Sequence, residues 1–376
     1  MFGAFFKTFD NMKITRGSKG GALGELQLAR VAYWLVIVTA ITVGLIYFST
    51  LVKPFFIALF LWYLIMELQH ALGRISIRGR RMPGWLSGVF SLVLIISVIL
   101  SIGEIIQFNI QEIADQVPFY QQKINRLFLD YSQLMQESEI AAALFGWLRQ
   151  IDLGAWFSAL LNSLTGIVGT FAIILIYIVF LLIEGNVMES KSKALFVDKK
   201  RSYRMLNSVF RQINSAFRRY LVVKTLISLG TAVLSYIILR LYAIDFPVLW
   251  AFLVFLLNYI PYVGSLVATL LPSVFAWFQL GSMSTALWVF VSIQAIQTLM
   301  GNYVEPKVMG RSLNLSPLVV MLSLAFWGAI WGIVGMFLAV PIASIMLIVF
   351  SQFPTTRALA IIISERGEIT TEEFSD

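Results

Sequence analysis

Apolar residues run along this chain in blocks, not along one face of amphipathic elements. Val31 to Ser49, Pro54 to Leu68, Trp85 to about Ile106, Leu164 to Ile183, Thr225 to Tyr242 and Met283 to Asn302 each read as a membrane span. Two longer blocks are broken in the middle. Phe246 to Gly281 is interrupted by Asn258-Tyr259-Ile260-Pro261-Tyr262-Val263-Gly264-Ser265, and Leu313 to Phe350 is interrupted between Trp327 and Gly335. Each half is about 15 residues, short of the ~20 that a spanning helix needs. Backbone broken at membrane depth is tolerated only where protein packs around it or a cavity lies beside it. The pattern therefore predicts an all-α polytopic membrane protein of about eight membrane elements, two of them re-entrant hairpins broken by Pro and Gly. A span followed by a broken stretch occurs twice, over 225–281 and 283–350. If each broken stretch enters and leaves on one side, the two open in opposite directions and form an inverted repeat. If they cross fully, Glu305 to Arg311 lies outside.

Composition supports this reading, with 59% hydrophobic and 13% charged residues in 376, where soluble domains carry roughly 25% charge. The net charge of +8 resides in loops beside apolar blocks, so positive-inside topology and anionic lipid account for it without nucleic acid. The tail 1–30 and the loop with Arg74, Arg78, Arg80 and Arg81 are expected in the cytoplasm, and His70 is an interfacial residue there. Spans over 31–106 lead to an acidic, amphipathic insert at 107–160 on the far side, a cap or oligomer contact in one reading and a substrate-capturing domain in the other. A fourth span at 161–184 returns to a basic amphipathic helix at 185–224, lying along the membrane or a neighbouring subunit. There Met205, Val209, Ile213, Ala216 and Tyr220 share a face opposite the arginines. A transport core follows at 225–350, and a cytoplasmic tail at 351–376.

With no cysteine, one histidine, no phosphate-binding loop and no nucleophile elbow, thiol chemistry, Cys/His metal sites and direct use of ATP are excluded. No catalytic residue, metal site or cofactor is assigned, and the chain does not read as an enzyme. The polar residues inside apolar blocks carry the chemistry instead. Gln294, Gln297, Thr298, Gly301 and Glu305 recur at three and four, with Asn302 beside them, and line one helix face. That face must meet other helices or a wet path. Asn258, with carbonyls freed by Pro261 and the permissive Gly264, suits a cation or a polyol, although a tight turn explains Pro261 and Gly264 equally well. Ion or proton coupling requires an ionisable group in the membrane, and Glu305 and Asp245 are the candidates, ahead of Glu67, Glu104 and Glu184. A surface pair of Glu305 with Lys307 or Arg311 is the plain alternative, and those two cations also suit lipid phosphate or a helix end.

Three motifs occur in order: Asn258 to Gly264 followed by Pro272; Glu305-Pro306-Lys307-Val308-Met309-Gly310-Arg311 running to Ser316-Pro317; and Gly332-Ile333-Val334-Gly335 running to Pro341. Together they resemble the autoinducer-2 exporter (AI-2E) family of bacterial permeases over most of the chain. Two positions depart from many relatives: Ser265 stands where a proline is common, and Tyr220-Leu221-Val222-Val223-Lys224 lacks a Gly-Gln pair. The resemblance implies a homo-oligomeric transporter of the bacterial inner membrane, embedded in lipid, with the hairpin motifs at Pro306, Lys307, Gly310, Pro317, Gly332, Gly335 and Pro341. It implies export of a small polar solute such as autoinducer-2, or exchange of sodium or lithium for protons. An oligomeric channel or a non-transporting scaffold are the readings outside that implication.

Overall fold

The computed structural model describes residues 21–74, 76–77, 80–81, 83–130, 170–185, 191, 200–309 and 314–367. The chain divides into two compact units, Met1–Thr50 and Leu51–Asp376. The first contains helix α1 (Gly21–Tyr47), whose Val36, Val38, Ile41 and Ile46 are exposed. The second runs through α2 (Ser49–Gly73), α3 (Gly84–Asp130), α4 (Phe171–Gly185), α5 (Lys200–Leu241), α6 (Pro247–Leu257), α7 (Val263–Leu280), α8 (Met283–Thr298), a π-helical segment (Leu299–Val304), α9 (Glu305–Met309), α10 (Pro317–Trp331), α11 (Ile333–Gln352) and α12 (Arg357–Ile363). Among the described residues the only strands are β1 (Ser76–Ile77) and β2 (Arg80–Arg81), a small antiparallel pair in the arginine loop. Among the described residues six helical stretches are long and apolar enough to cross a membrane, in α2, α3, α5, α7, the continuous Met283–Met309 and α11.

Several boundaries shift from the sequence reading. Thr50 to Lys53, between the first two spans read from the sequence, are helical and run into the second, with Pro54 inside α2. The insert expected from 107 begins inside α3, one helix of 47 residues, or about 70 Å. Likewise the basic helix and the fifth span are one helix, α5, of 42 residues. Nothing in the local sequence ends either helix: there is no proline or glycine at 106–107 or 224–225, and hydropathy can change along a helix without breaking it. Of the motif Glu305 to Arg311, which follows the span read to Asn302, Glu305–Met309 is helical and continues it, so Met283–Met309 is a single rod. The remainder of the insert and the first half of the basic loop lie outside the described residues.

Helices α6 and α7 form hairpin A, turning at Asn258–Tyr262, and α10 and α11 form hairpin B, turning at Gly332. Both turns are clasped by a glycine against the preceding helix. A Cβ on Gly264 would lie 1.8 Å from the Leu257 carbonyl oxygen, and one on Gly335 would lie 1.9 Å from that of Trp327. At 11 residues, α6 spans only about 17 Å. The open end of hairpin A is closed by Gln279, whose amide oxygen accepts from the Asp245 N–H (2.8 Å) and whose amide nitrogen donates to the Ala243 carbonyl (2.9 Å). Lys123 of α3 donates to the Gln279 carbonyl at the same place. The open end of hairpin B is tied by α12: Ser316 N–H donates to the Ile363 carbonyl (2.9 Å) and Glu365 N–H to that of Asn314 (3.1 Å).

The two open ends lie at opposite ends of α5. Hairpin A opens beside Ala243, whereas Gln352 at the end of α11 reaches Gln212 (3.5 Å), about 45 Å away along α5. The tips overlap between them. Ile260 of hairpin A packs among Leu324 of α10 and Ala339 of α11. Tyr259 joins Phe60, Phe217, Leu221, Val340 and Leu347 in a core shared by α2, α5 and α11. A second core holds Leu239, Trp250, Phe275 and Val289, and a third joins α2 to α4 through Ala58, Ile65, Ile174 and Ile178.

Candidate functional site

Helix α5 is arranged opposite to a soluble helix. Leu226, Leu229, Val233 and Ile237 are exposed, while Lys224, Ser228, Thr231 and Ser235 are buried. Spacings of four, three and four put those polar residues on one face. An apolar outer face belongs in lipid, and a polar inner face must find partners. The tip of hairpin A supplies two. Asn258, itself buried, donates to Ser228 Oγ (3.1 Å), and the Tyr259 hydroxyl donates to Thr225 Oγ1 (2.7 Å). Thr225 in turn donates to the Leu221 carbonyl (2.7 Å).

The rod α8–π–α9 supplies the charge. Lys224 Nζ donates to both carboxylate oxygens of Glu305, at 2.8 and 2.9 Å, with side-chain exposures of 7% and 19%. Burial at that level makes each charge dependent on the other, since either one alone would face a large desolvation cost. The π segment explains how Glu305 gets there. Eight residues separate it from Gln297, which on an α-helix leaves about 80° between them; one extra residue in the π turn reduces this to about 20°. Glu305 therefore shares the buried face of Gln297. Met300 lies within 2.8 Å of the position a Cβ on Gly230 would take, so α5 and the rod run antiparallel, and Gln297 comes level with Thr231 to Ser235. Gln297 Nε2, Ser235 Oγ and the Tyr220 hydroxyl are buried and have no hydrogen-bond partner among the described residues. Pro341 of α11 lines an apolar crevice with Tyr220, Phe217 and Ile213.

The sequence-read residues divide accordingly. Asn258, Gln297 and Glu305 come together around α5. Gln294 and Thr298 are half-buried and weakly bonded to each other (3.5 Å), whereas Asn302 is exposed. Pro261 and Gly264 form the turn of hairpin A, and Gly332 and Gly335 that of hairpin B, where Gly332 takes a positive φ of 65°. Pro317 starts α10. The partner of Glu305 is Lys224; Lys307 and Pro306 are exposed, and Gly310 and Arg311 lie outside the described residues. Asp245 is exposed at the far end of α5, roughly 30 Å along the helix from Lys224. Glu67 pairs with Arg218, tying α2 to the basic half of α5, and Glu184 pairs with exposed Lys191. His70 contacts the Met66 carbonyl (2.6 Å) at the end of α2. The polar stripe on α5, with Lys224, was the part the sequence reading missed; its signal is a lysine and three hydroxyls at heptad spacing inside an apolar block.

Apolar rods facing outward around an inward polar seam define a multi-pass membrane protein. The family described as AI-2E family transporter matches residues 35–355, and the chain belongs to that family. It is 29% identical over 350 residues to a putative transport protein of Haemophilus influenzae, covering 91% of this chain and 98% of the relative. It is 28% identical over 339 residues to the AI-2 transport protein TqsA of Escherichia coli, covering 89% and 96%, and 26% identical over 329 residues to the putative permease PerM of the same organism, covering 85% and 92%.

Proposed function

We propose that this protein exports a small polar solute across the bacterial inner membrane, driven by protons, with Glu305 as the coupling carboxylate. The observation that carries this is the buried Lys224–Glu305 pair, set beside the tip of hairpin A. In this reading hairpin A enters from the periplasmic side and hairpin B from the cytoplasmic side, as an inverted repeat. In the same reading both termini and the basic half of α5 are cytoplasmic, supported for the N-terminal tail and α5 by their clustered lysines and arginines. Asn258, Gln297 and the α5 hydroxyls form the polar wall of the path, and the two overlapping tips alternate its access. Autoinducer-2 is the first solute to test, because TqsA is named for its transport. The exposed apolar faces meet lipid or a second copy of the chain in a homo-oligomer.

Sodium or lithium exchange for protons would use the same carboxylate. It requires a free cation where the Lys224 ammonium already stands, so the geometry favours the solute exporter. The test is uptake of autoinducer-2 into proteoliposomes containing only this protein under an imposed pH gradient. Uptake above the solute's own gradient that collapses with a protonophore is the expected result. Flux that only follows the solute gradient would establish a channel, and absence of flux a scaffold.

A further inference from the structure

The carboxylate of Glu305 sits in a place where a negative charge needs compensation. Three things can provide it: a proton, a free monovalent cation, or a tethered ammonium. Here the ammonium of Lys224 touches both oxygens, at 2.8 and 2.9 Å, and occupies the direction in which both lone-pair sets converge. Next to Lys224 in the chain, Thr225 bonds through its Oγ1 to the Tyr259 hydroxyl, and Ser228 follows one turn further along α5. With the lysine removed, the half-buried Glu305 carboxylate would keep its charge but lose the cation that now touches both its oxygens.

We propose that Lys224 is the cation-selecting residue of this site: its ammonium fills a latent monovalent-cation site on Glu305, so that the protein responds to protons and not to sodium. This rests on Glu305 being the coupling carboxylate. Protonation of Glu305 releases the ammonium, and deprotonation draws it back, so a proton can compete for the site where sodium cannot. The titratable groups that face Glu305 among the described residues are Lys224 and Tyr220 on α5, with Tyr259 at the tip of hairpin A next to Tyr220; Lys307 on its own helix is exposed.

The test is thermal unfolding of the purified full chain in detergent, in sodium chloride against choline chloride at equal ionic strength and a mildly alkaline pH. The wild type is expected to unfold at the same temperature in both. Lys224→Ala and Lys224→Gln are expected to gain a saturable rise of several degrees in sodium, by mass action. That rise should shrink as the pH falls and a proton takes the carboxylate, and it should vanish in Lys224→Ala combined with Glu305→Gln. The proposal is overturned if the wild type is itself stabilised by sodium in a Glu305-dependent way, an arm that needs no lysine variant to fold. It is equally overturned if a folded Lys224 variant shows no sodium response. Because the readout is binding without flux, failure of the coupling reading in vesicles and failure of this assignment are separate results.

Discussion

Glu305→Gln is expected to abolish proton-driven transport, with the initial rate in proteoliposomes falling by at least about 100-fold, the scale for loss of a proton-transferring group. An amide keeps the shape of the side chain and can still accept from Lys224, but it cannot take up and release a proton. The π segment holds position 305 on the buried face beside Gln297, so no neighbouring residue of the rod can replace it; Pro306 and Lys307 lie on the exposed side. Asp245→Asn is the control. That residue is exposed at the open end of hairpin A, far along α5 from Lys224, and its backbone N–H donates to Gln279. Near-normal transport is expected there, whereas a loss equal to that of Glu305→Gln would move the coupling site to the far end of α5.

The second large effect concerns stability. Lys224→Met leaves the Glu305 carboxylate buried without its cation and is expected to cost about 3–5 kcal/mol, as for other broken buried pairs. Lys224→Met combined with Glu305→Leu is expected to recover most of that loss, because two apolar side chains in a buried site need no partners. Unfolding of the wild type, the two single variants and the double variant in the same detergent gives the coupling energy directly. Additive losses in the double variant would mean that the two side chains do not act as a pair. Transport should remain absent in the double variant even where stability returns, which separates the pair's role in the fold from its role in the cycle.

Much of this was legible in the sequence because membrane helices announce themselves by composition. Most of the apolar blocks and the Pro/Gly interruptions at Asn258–Ser265 and Trp327–Gly335 correspond to helices and helix breaks among the described residues. The helix ends were less legible. Hydropathy marks where lipid ends and not where hydrogen bonding does, so α3 and α5 run on through the boundaries that a change of polarity suggested. The partner of Glu305 was obscure for a different reason. Lys307 and Arg311 are close in sequence, whereas Lys224 is 81 residues away and becomes a neighbour only through the antiparallel packing of α5 on the rod. The π turn, which decides the face Glu305 occupies, depends on that packing too, with Met300 fitted against Gly230. Asn302 shows the cost of reading the spacing without it: it follows Gln297 closely but lies on the exposed side.

The transport cycle proposed for Glu305 depends on hairpins A and B entering from opposite membrane faces, and side-specific labelling tests that most directly. The chain has no cysteine, so single cysteines can be placed at Ala243 and Leu280, which flank hairpin A, and at Asn314 and Thr356, which flank hairpin B. A membrane-impermeant thiol reagent applied to right-side-out and inverted vesicles should label the first two from the periplasmic side only and the last two from the cytoplasmic side only. Labelling of Ala243 and Leu280 from opposite sides would mean that hairpin A crosses the membrane, and the opposed entry of the two hairpins would be ruled out with it.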